Sequence, residues 1–256
     1  MSYNIQVGIS SSRPHHYFTH SWKHVLPHTT RLVNIEQIAR RVHEYDIVGL
    51  QEVDAGSLRS NFINLTEFMA ERAGFPFWYH QVNRNLGRIA QHSNGLLSRL
   101  RPTEMRDLRL PGLIPGRRAI LARFGSKENP LVLFVLHLAL SRRARLSQID
   151  YVSDIVNEYP HAIVMGDMNC RPGSREMSLL FRRTHLHEPI DTKHTFPSWR
   201  PQHNIDHILV SSDLVAHDVH VHDYPYSDHL PISMRIELPE SIDLPDRAKA
   251  HMTAGT

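Results

Sequence analysis

Asn4, Glu52, His137, Asp167, Asn169, Asp206 and the pair Asp228-His229 each lie inside or just beyond a short apolar run. Carboxylates, amides and imidazoles are the side chains that ligate hard cations, orient water and exchange protons. At the ends of buried strands such groups can converge on one rim, where an α/β sheet or a sandwich opens a cleft. Taken singly, each has an ordinary use. Asn4 and Gly166-Asp167-Met168-Asn169 suit turns, Gln51-Glu52 a solvated strand end, and His137 a hydrogen-bonded core position. Asp206-His207 and Ser227-Asp228-His229 suit loops or caps. Their joint occurrence at strand ends is what points to a site.

The elements that must position these groups are readable from apolar periodicity. Asp46 to Leu50, Leu131 to Leu136 and Ala162 to Met165 are β-rich runs without polar alternation, the pattern of central strands covered on both faces. Ile35, Ile38, Ala39 and Val42, and more strongly Leu146, Ile149, Val152, Ile155 and Val156, keep one-face helical spacing. Further strands are expected over 3–8, 77–82, 94–98, 103–110, 118–124, 206–210, 215–223 and 231–237. Many strands with few helices favour a two-sheet sandwich flanked by helices over a simple doubly wound sheet. Pro-, His- and Ser-rich loops are expected over about 10–30 and 186–204. Residues 1–238 read as one domain, and 239–256, with no periodic apolar face, as a loose tail.

Composition bounds the rest. With 256 residues, 41% hydrophobic and 21% charged, the chain suits a globular protein and excludes collagen, coiled coil or general disorder. The lone Cys170 forms no intramolecular disulfide and reads as a bystander thiol, so a reducing cytoplasm is the expected compartment. No leader pattern or membrane-spanning apolar run stands out. The net charge of +3 suits an anionic partner without the dense basic tracts of an obligate nucleic-acid binder. His15, His16, His20, His24 and His28 lack metal-ligand spacing and read as a polar loop.

In order along the chain stand Tyr3-Asn4-Ile5-Gln6, Leu50-Gln51-Glu52-Val53-Asp54, Ser93-Asn94-Gly95-Leu96-Leu97-Ser98-Arg99 and Leu136-His137-Leu138. They are followed by Gly166-Asp167-Met168-Asn169, Asn204-Ile205-Asp206-His207-Ile208-Leu209-Val210-Ser211 and Ser227-Asp228-His229-Leu230-Pro231. Together, across nearly the whole chain, these motifs resemble the endonuclease/exonuclease/phosphatase superfamily, which includes deoxyribonuclease I, exonuclease III, neutral sphingomyelinases and inositol polyphosphate phosphatases. The resemblance implies an α/β four-layer sandwich of two packed mixed β-sheets flanked by helices. It also implies hydrolysis of a phosphate ester with a divalent metal, usually magnesium, with manganese as a substitute.

Such a reaction requires the phosphoryl charge to be neutralised, water to be activated and the leaving oxygen to be stabilised. By resemblance, Asn4, Glu52 and Asp228 are the candidate metal ligands. Asp167 is the candidate water orienter or base, Asn169 a donor to a phosphate oxygen, and Asp206 the partner that polarises His229. His137 matches the other family histidine, and which of the two imidazoles is the general acid stays open. Asn94, Arg88 and Arg142 are candidate substrate contacts, Asn94 with the alternative of ordering its strand.

Gln6 departs from the acidic residue that exonuclease III-like members carry two positions after the asparagine. That, with a histidine at 137, favours the deoxyribonuclease I and sphingomyelinase branch. The leading expectation is a phosphodiesterase acting on nucleic acid. The alternative is an esterase for a phospholipid headgroup or a small phosphorylated metabolite, with peripheral lipid contact. A reading from another class is an inactive binding module, against which the retention of every motif acid and imidazole argues.

Overall fold

The computed structural model describes residues 1–8, 29–85, 91–112, 116–189, 194–224 and 226–244. The described strands are β1 (Ser2–Asn4), β2 (Ile47–Asp54), β3 (Phe77–Asn85), β4 (Gln91–Ser98), β5 (Glu104–Arg109), β6 (Arg118–Phe124), β7 (Leu131–His137), β8 (His161–Asp167), β9 (Leu186–His187), β10 (Asp206–Ser211), β11 (Val215–Val221) and β12 (Ile232–Glu237). The described α-helices are α1 (Thr29–Val42), α2 (Leu65–Ala73), α3 (Arg142–Val156) and α4 (Arg175–Arg183). Two six-stranded sheets result, ordered β11-β12-β1-β2-β4-β3 and β5-β6-β7-β8-β10-β9. Each is mixed, with β1 parallel to β2 in the first and β7 parallel to β8 in the second.

The layers follow from the two-residue period of the strands. In β7, Val132, Phe134 and Leu136 face α3 and α4, where Ile149, Val152, Val156, Met177 and Leu180 cover them. The alternate residues Leu131, Leu133 and Val135 face the first sheet and pack with Leu96, Ile163, Met165 and Ile232. Both faces are therefore apolar, which is why this run shows no polar alternation. On the far side, Ile35, Ile38 and Val42 of α1 and Leu65 and Met69 of α2 cover Tyr3, Val48, Leu50 and Leu97. The sheets approach closely at Gly49, where a β-carbon would stand 2.8 Å from Met165 Sδ.

Several details differ from the sequence expectation. The strand expected over 3–8 stops at Asn4, because Asn4 Oδ1 accepts from Gln6 N and the chain turns into a short 3-10 helix over Gln6–Gly8. Helices α2 and α4 went unread. Asn64 caps α2 by accepting from Thr66 N and Gly74 ends it in the left-handed region, while Ser174 caps α4 at Met177 N. Leu186–His187, inside an expected loop, pairs with β10. Beyond β12, Ile242 is buried and Asn129 Nδ2 donates to Ser241 O, so residues 239–244 pack on the body. The early histidines and Arg88 lie outside the described residues.

Candidate active site

Strand register assembles the centre of the site. His137 ends β7 opposite Asp167, which ends β8, and Asp206 opens β10 opposite the same Asp167. Residues in register on adjacent strands project from the same face, so two carboxylates and an imidazole stand in a row at one sheet end. His137 Nε2 is 3.5 Å from Asp167 Oδ2. Gly166 is required beneath them: its φ is +143°, and a β-carbon there would lie 1.9 Å from Leu136 O. Asn169, also at positive φ, donates its backbone N–H to Asp167 Oδ1 at 2.9 Å and its side-chain amide to Leu138 O at 3.0 Å.

The first sheet supplies the opposite wall. Asn4 ends β1 and donates from Nδ2 to Asp167 Oδ2 at 3.1 Å, linking the sheets across the site. Glu52 follows Gln51, the register partner of Asn4, and sits at a bulge where the β2–β4 pairing shifts between Leu50 and Val53. Its φ of +54° and the bulge turn its carboxylate toward His137, 4.0 Å away.

The loop before β12 brings the last groups. Ser227 Oγ donates to Asn4 O at 2.7 Å, Ser198 N donates to Asp228 O at 2.7 Å, and Leu230 N donates to Thr195 O at 2.8 Å. So pinned, His229 sets Nδ1 2.8 Å from Asp206 Oδ2 and Nε2 3.9 Å from Asp167 Oδ2. Thr195 Oγ1 donates to the same Asp206 oxygen at 2.5 Å, and the Phe196 ring lies 4.8 Å from the imidazole. Asp206 Oδ1 is buried with no hydrogen-bond partner among the described residues.

Burial and neighbouring charge divide the titrating groups. Burial opposes charge on His229, but the Asp206 carboxylate and its hydrogen bond, helped by Asp167 and Asp228, hold its pKa well above the ordinary value. Burial, then Arg117 and His229, hold His137 well below that value, so its ring is neutral. Burial raises Asp167, and Asp206 adds to the rise against the opposing pull of His229. Burial raises Glu52, with Asp228 the next cause. One imidazole charged and one neutral, beside a carboxylate of raised proton affinity in Asp167, is an arrangement that can both donate and withdraw protons at pH 7.

Asn4, Glu52, His137, Asp167, Asn169, Asp206, Asp228 and His229 thus gather at one end of the sandwich. Asn94 does not reach the opening: it is fully buried, donates to Arg118 O and accepts from Asn83 Nδ2, the bonds of a residue that orders its strand. Arg142 is exposed at the start of α3, while its neighbour Arg143 lines the cleft. Arg145 is taken by Glu176 and by the carbonyls of Ala139 and Leu140. Sequence reasoning missed Arg117, which lines the cleft with Glu52 and lies within the electrostatic reach of Glu52 and Asp167, and Thr195. Nothing in the spacing of the Gly116-Arg117 step before β6 marks it as part of a site.

Next to Glu52 and His137 opens a cavity of about 750 Å³, walled also by Arg117, Asn83, Leu140 and Gln148.

The profile of the Endonuclease/Exonuclease/phosphatase family matches residues 1–229. No curated protein is significantly similar in sequence. Among solved structures, the chain is similar to a mannosyl-6-phosphatase of Bacteroides thetaiotaomicron VPI-5482, at TM-score 0.67 and 17% identity over 84% of this chain and 97% of that one. It is similar to an endonuclease/exonuclease/phosphatase of Beutenbergia cavernae DSM 12333, at TM-score 0.71 and 18% identity over 93% and 70%. It is also similar to the human Nocturnin catalytic domain, at TM-score 0.59 and 19% identity over 79% and 87%.

Proposed function

The chain belongs to the endonuclease/exonuclease/phosphatase family, and from that premise we propose that it is a divalent-metal-dependent hydrolase of phosphate esters. The observation that carries this reading is the 2.8 Å pairing of His229 with Asp206 beside Asp167, at the sheet end that also holds Glu52 and His137. A charged imidazole held by a buried carboxylate is a donor suited to a phosphoryl oxygen. Asp167, with one oxygen fixed by Asn169 N and raised proton affinity, is suited to hold the attacking water and accept its proton. Asn169 Nδ2 uses one hydrogen on Leu138 O and keeps its second for a phosphate oxygen. Neutral His137 stands on the other side of Asp167 as an orienting or proton-relaying group.

The donor set fits a hard dication. Glu52 and Asp228 are near enough for the charge on Asp228 to raise the Glu52 pKa, a repulsion that magnesium or manganese between them would offset. Glu52 and Asp228 would hold the ion, with Asn4 Oδ1, which already accepts from Gln6 N, offering its second lone pair. The ion would neutralise phosphoryl charge and stabilise the leaving oxygen. Asp167, Asp206 and His229 also bring ligand atoms within 4.8 Å of one another. A protonated His229 bound to Asp206 has no lone pair for a metal, which favours the hydrogen-bonding role for this trio.

For nucleic acid as substrate, the supporting feature is the arginine pair at the start of α3, Arg142 exposed and Arg143 on the cleft. The test is hydrolysis with added magnesium of p-nitrophenyl phosphate, bis(p-nitrophenyl) phosphate and supercoiled plasmid, beside His229→Ala. Turnover of any of the three by wild type alone supports the reading, and plasmid nicking selects a nuclease. Equal rates for both proteins would overturn it.

A further inference from the structure

The bond from His229 to Asp206 fixes only part of the imidazole. A single hydrogen bond at Nδ1 tolerates a tilt of the ring, and a tilt moves Nε2, the atom that faces Asp167. Holding Nε2 in one direction therefore takes a second contact, on the face of the ring. Phe196 supplies it: the two ring centroids are 4.8 Å apart and the planes meet at 46°. Phe196 is half-buried and belongs to neither sheet. It sits instead in a short antiparallel bridge with His203, just ahead of β10.

That bridge is closely tied. Phe196 N donates to His203 O at 3.0 Å, and Phe196 O accepts from His203 N and from Gln202 N, both at 2.9 Å. Residues paired across such a bridge project to the same side, and the Phe196 ring stacks on that of His203 at 6.5 Å and 22°. The His203 ring is held in turn, with Nδ1 2.8 Å from Arg171 Nη2. A guanidinium only donates, so Nδ1 accepts. Arg171 follows Asn169 by two residues, on the loop that leaves Asp167. A column of three side chains, Arg171, His203 and Phe196, thus runs from that loop to the face of His229.

We propose that Phe196 is a positioning residue for His229, and that the column behind it ties the tilt of the imidazole to the loop carrying Asp167 and Asn169. The inference rests on the phosphoesterase reading and adds to it the means by which the proton-bearing ring is aimed. Phe196 has no polar side-chain atom to offer a phosphate and acts through the imidazole it packs against. The direction of Nε2 matters most where charge shifts on the phosphoryl group, in the transition state. Loss of the brace therefore falls on kcat and leaves KM little changed.

The measurement is kcat and KM, with added magnesium, on p-nitrophenyl phosphate, bis(p-nitrophenyl) phosphate and supercoiled plasmid, with thermal melts in parallel. The proteins are wild type, Phe196→Leu, Phe196→Tyr and Arg171→Gln. Leucine keeps an apolar side chain and loses the flat face, and is expected to lower kcat about tenfold with KM within about twofold of wild type. Tyrosine keeps the face and is expected to recover most of that loss. Arg171→Gln changes an exposed side chain and is expected to fold normally and to lower kcat in the same sense by a smaller factor. Should Phe196→Leu not fold, Arg171→Gln decides by the same split. Wild-type kcat in folded Phe196→Leu or in Arg171→Gln, a loss carried by KM, or a tyrosine variant as slow as the leucine one would overturn the brace and leave the phosphoesterase reading intact. No turnover of any of the three substrates by wild type would overturn both.

Discussion

His229 Nδ1 stands 2.8 Å from Asp206 Oδ2, and the same oxygen accepts from Thr195 Oγ1, so a single carboxylate oxygen fixes both the orientation and the charge of the imidazole. The pKa of His229 is held well above the ordinary histidine value against the effect of burial. The charged ring therefore persists as pH rises, and is lost only when pH passes through that raised pKa. Activity is expected to fall on the alkaline side. In Asp206→Asn the pKa drops, and the alkaline limb of the kcat/KM profile moves to lower pH with a rate loss of about 10²-fold or more at neutrality. A limb that stays in place would remove Asp206 from this role.

Glu52 is the carboxylate whose burial and neighbour Asp228 raise its proton affinity, and it is expected to carry metal binding. Wild type should gain thermal stability with increasing magnesium by ordinary linkage, and Glu52→Gln should lose most of that gain. Thermal melts across a magnesium titration check this without reference to turnover. An equal magnesium response in the two proteins would move the metal site elsewhere.

His207 is a structural histidine, separate from the reaction. It is fully buried, with Nδ1 2.7 Å from Glu188 Oε1 and Nε2 2.8 Å from Cys170 O. Two acceptors require two N–H donors, which only the charged ring has. Burial opposes that charge, but the Glu188 hydrogen bond and charge raise the folded pKa above 6.5. The stabilisation is then full below the unfolded pKa and disappears as pH rises through the folded one. Glu188→Gln is expected to cost about 3 kcal/mol at pH 6 and less at alkaline pH, measured by denaturant unfolding. A pH-independent cost would contradict the pair.

Cys170 is buried, and burial pushes its thiol up to about 12. It is expected to resist iodoacetamide at pH 8 in the folded protein and to react on unfolding. Rapid labelling of the native protein, followed by mass spectrometry, would contradict this.

Much of this was legible in the sequence where one physical rule dominated. β6 is found over Arg118–Phe124, as the run itself indicated, and β7 and β8 were legible because both their faces meet apolar neighbours. The motif residues gather because they end or begin strands that register places side by side, as His137, Asp167 and Asp206 do. Helix α4 was hidden because only Glu176, Met177 and Leu180 are buried, and one of the three is a carboxylate held by Arg145. Arg117 was not legible because the carboxylates whose charge it feels, Glu52 and Asp167, lie far from it in the sequence. Asn94 reads in the sequence as a candidate substrate contact or a residue that orders its strand, and its buried bonds to Arg118 O and Asn83 Nδ2 are those of the second.

The most direct test of the central claim is the magnesium-dependent release of p-nitrophenol from bis(p-nitrophenyl) phosphate and p-nitrophenyl phosphate by wild type and Asp167→Asn, with unfolding curves run in parallel. The expected result is hydrolysis by wild type and a loss of about 10³-fold or more in a folded Asp167→Asn protein. Hydrolysis at wild-type rates by Asp167→Asn, or none by the wild type on either ester or on supercoiled plasmid, would contradict the account.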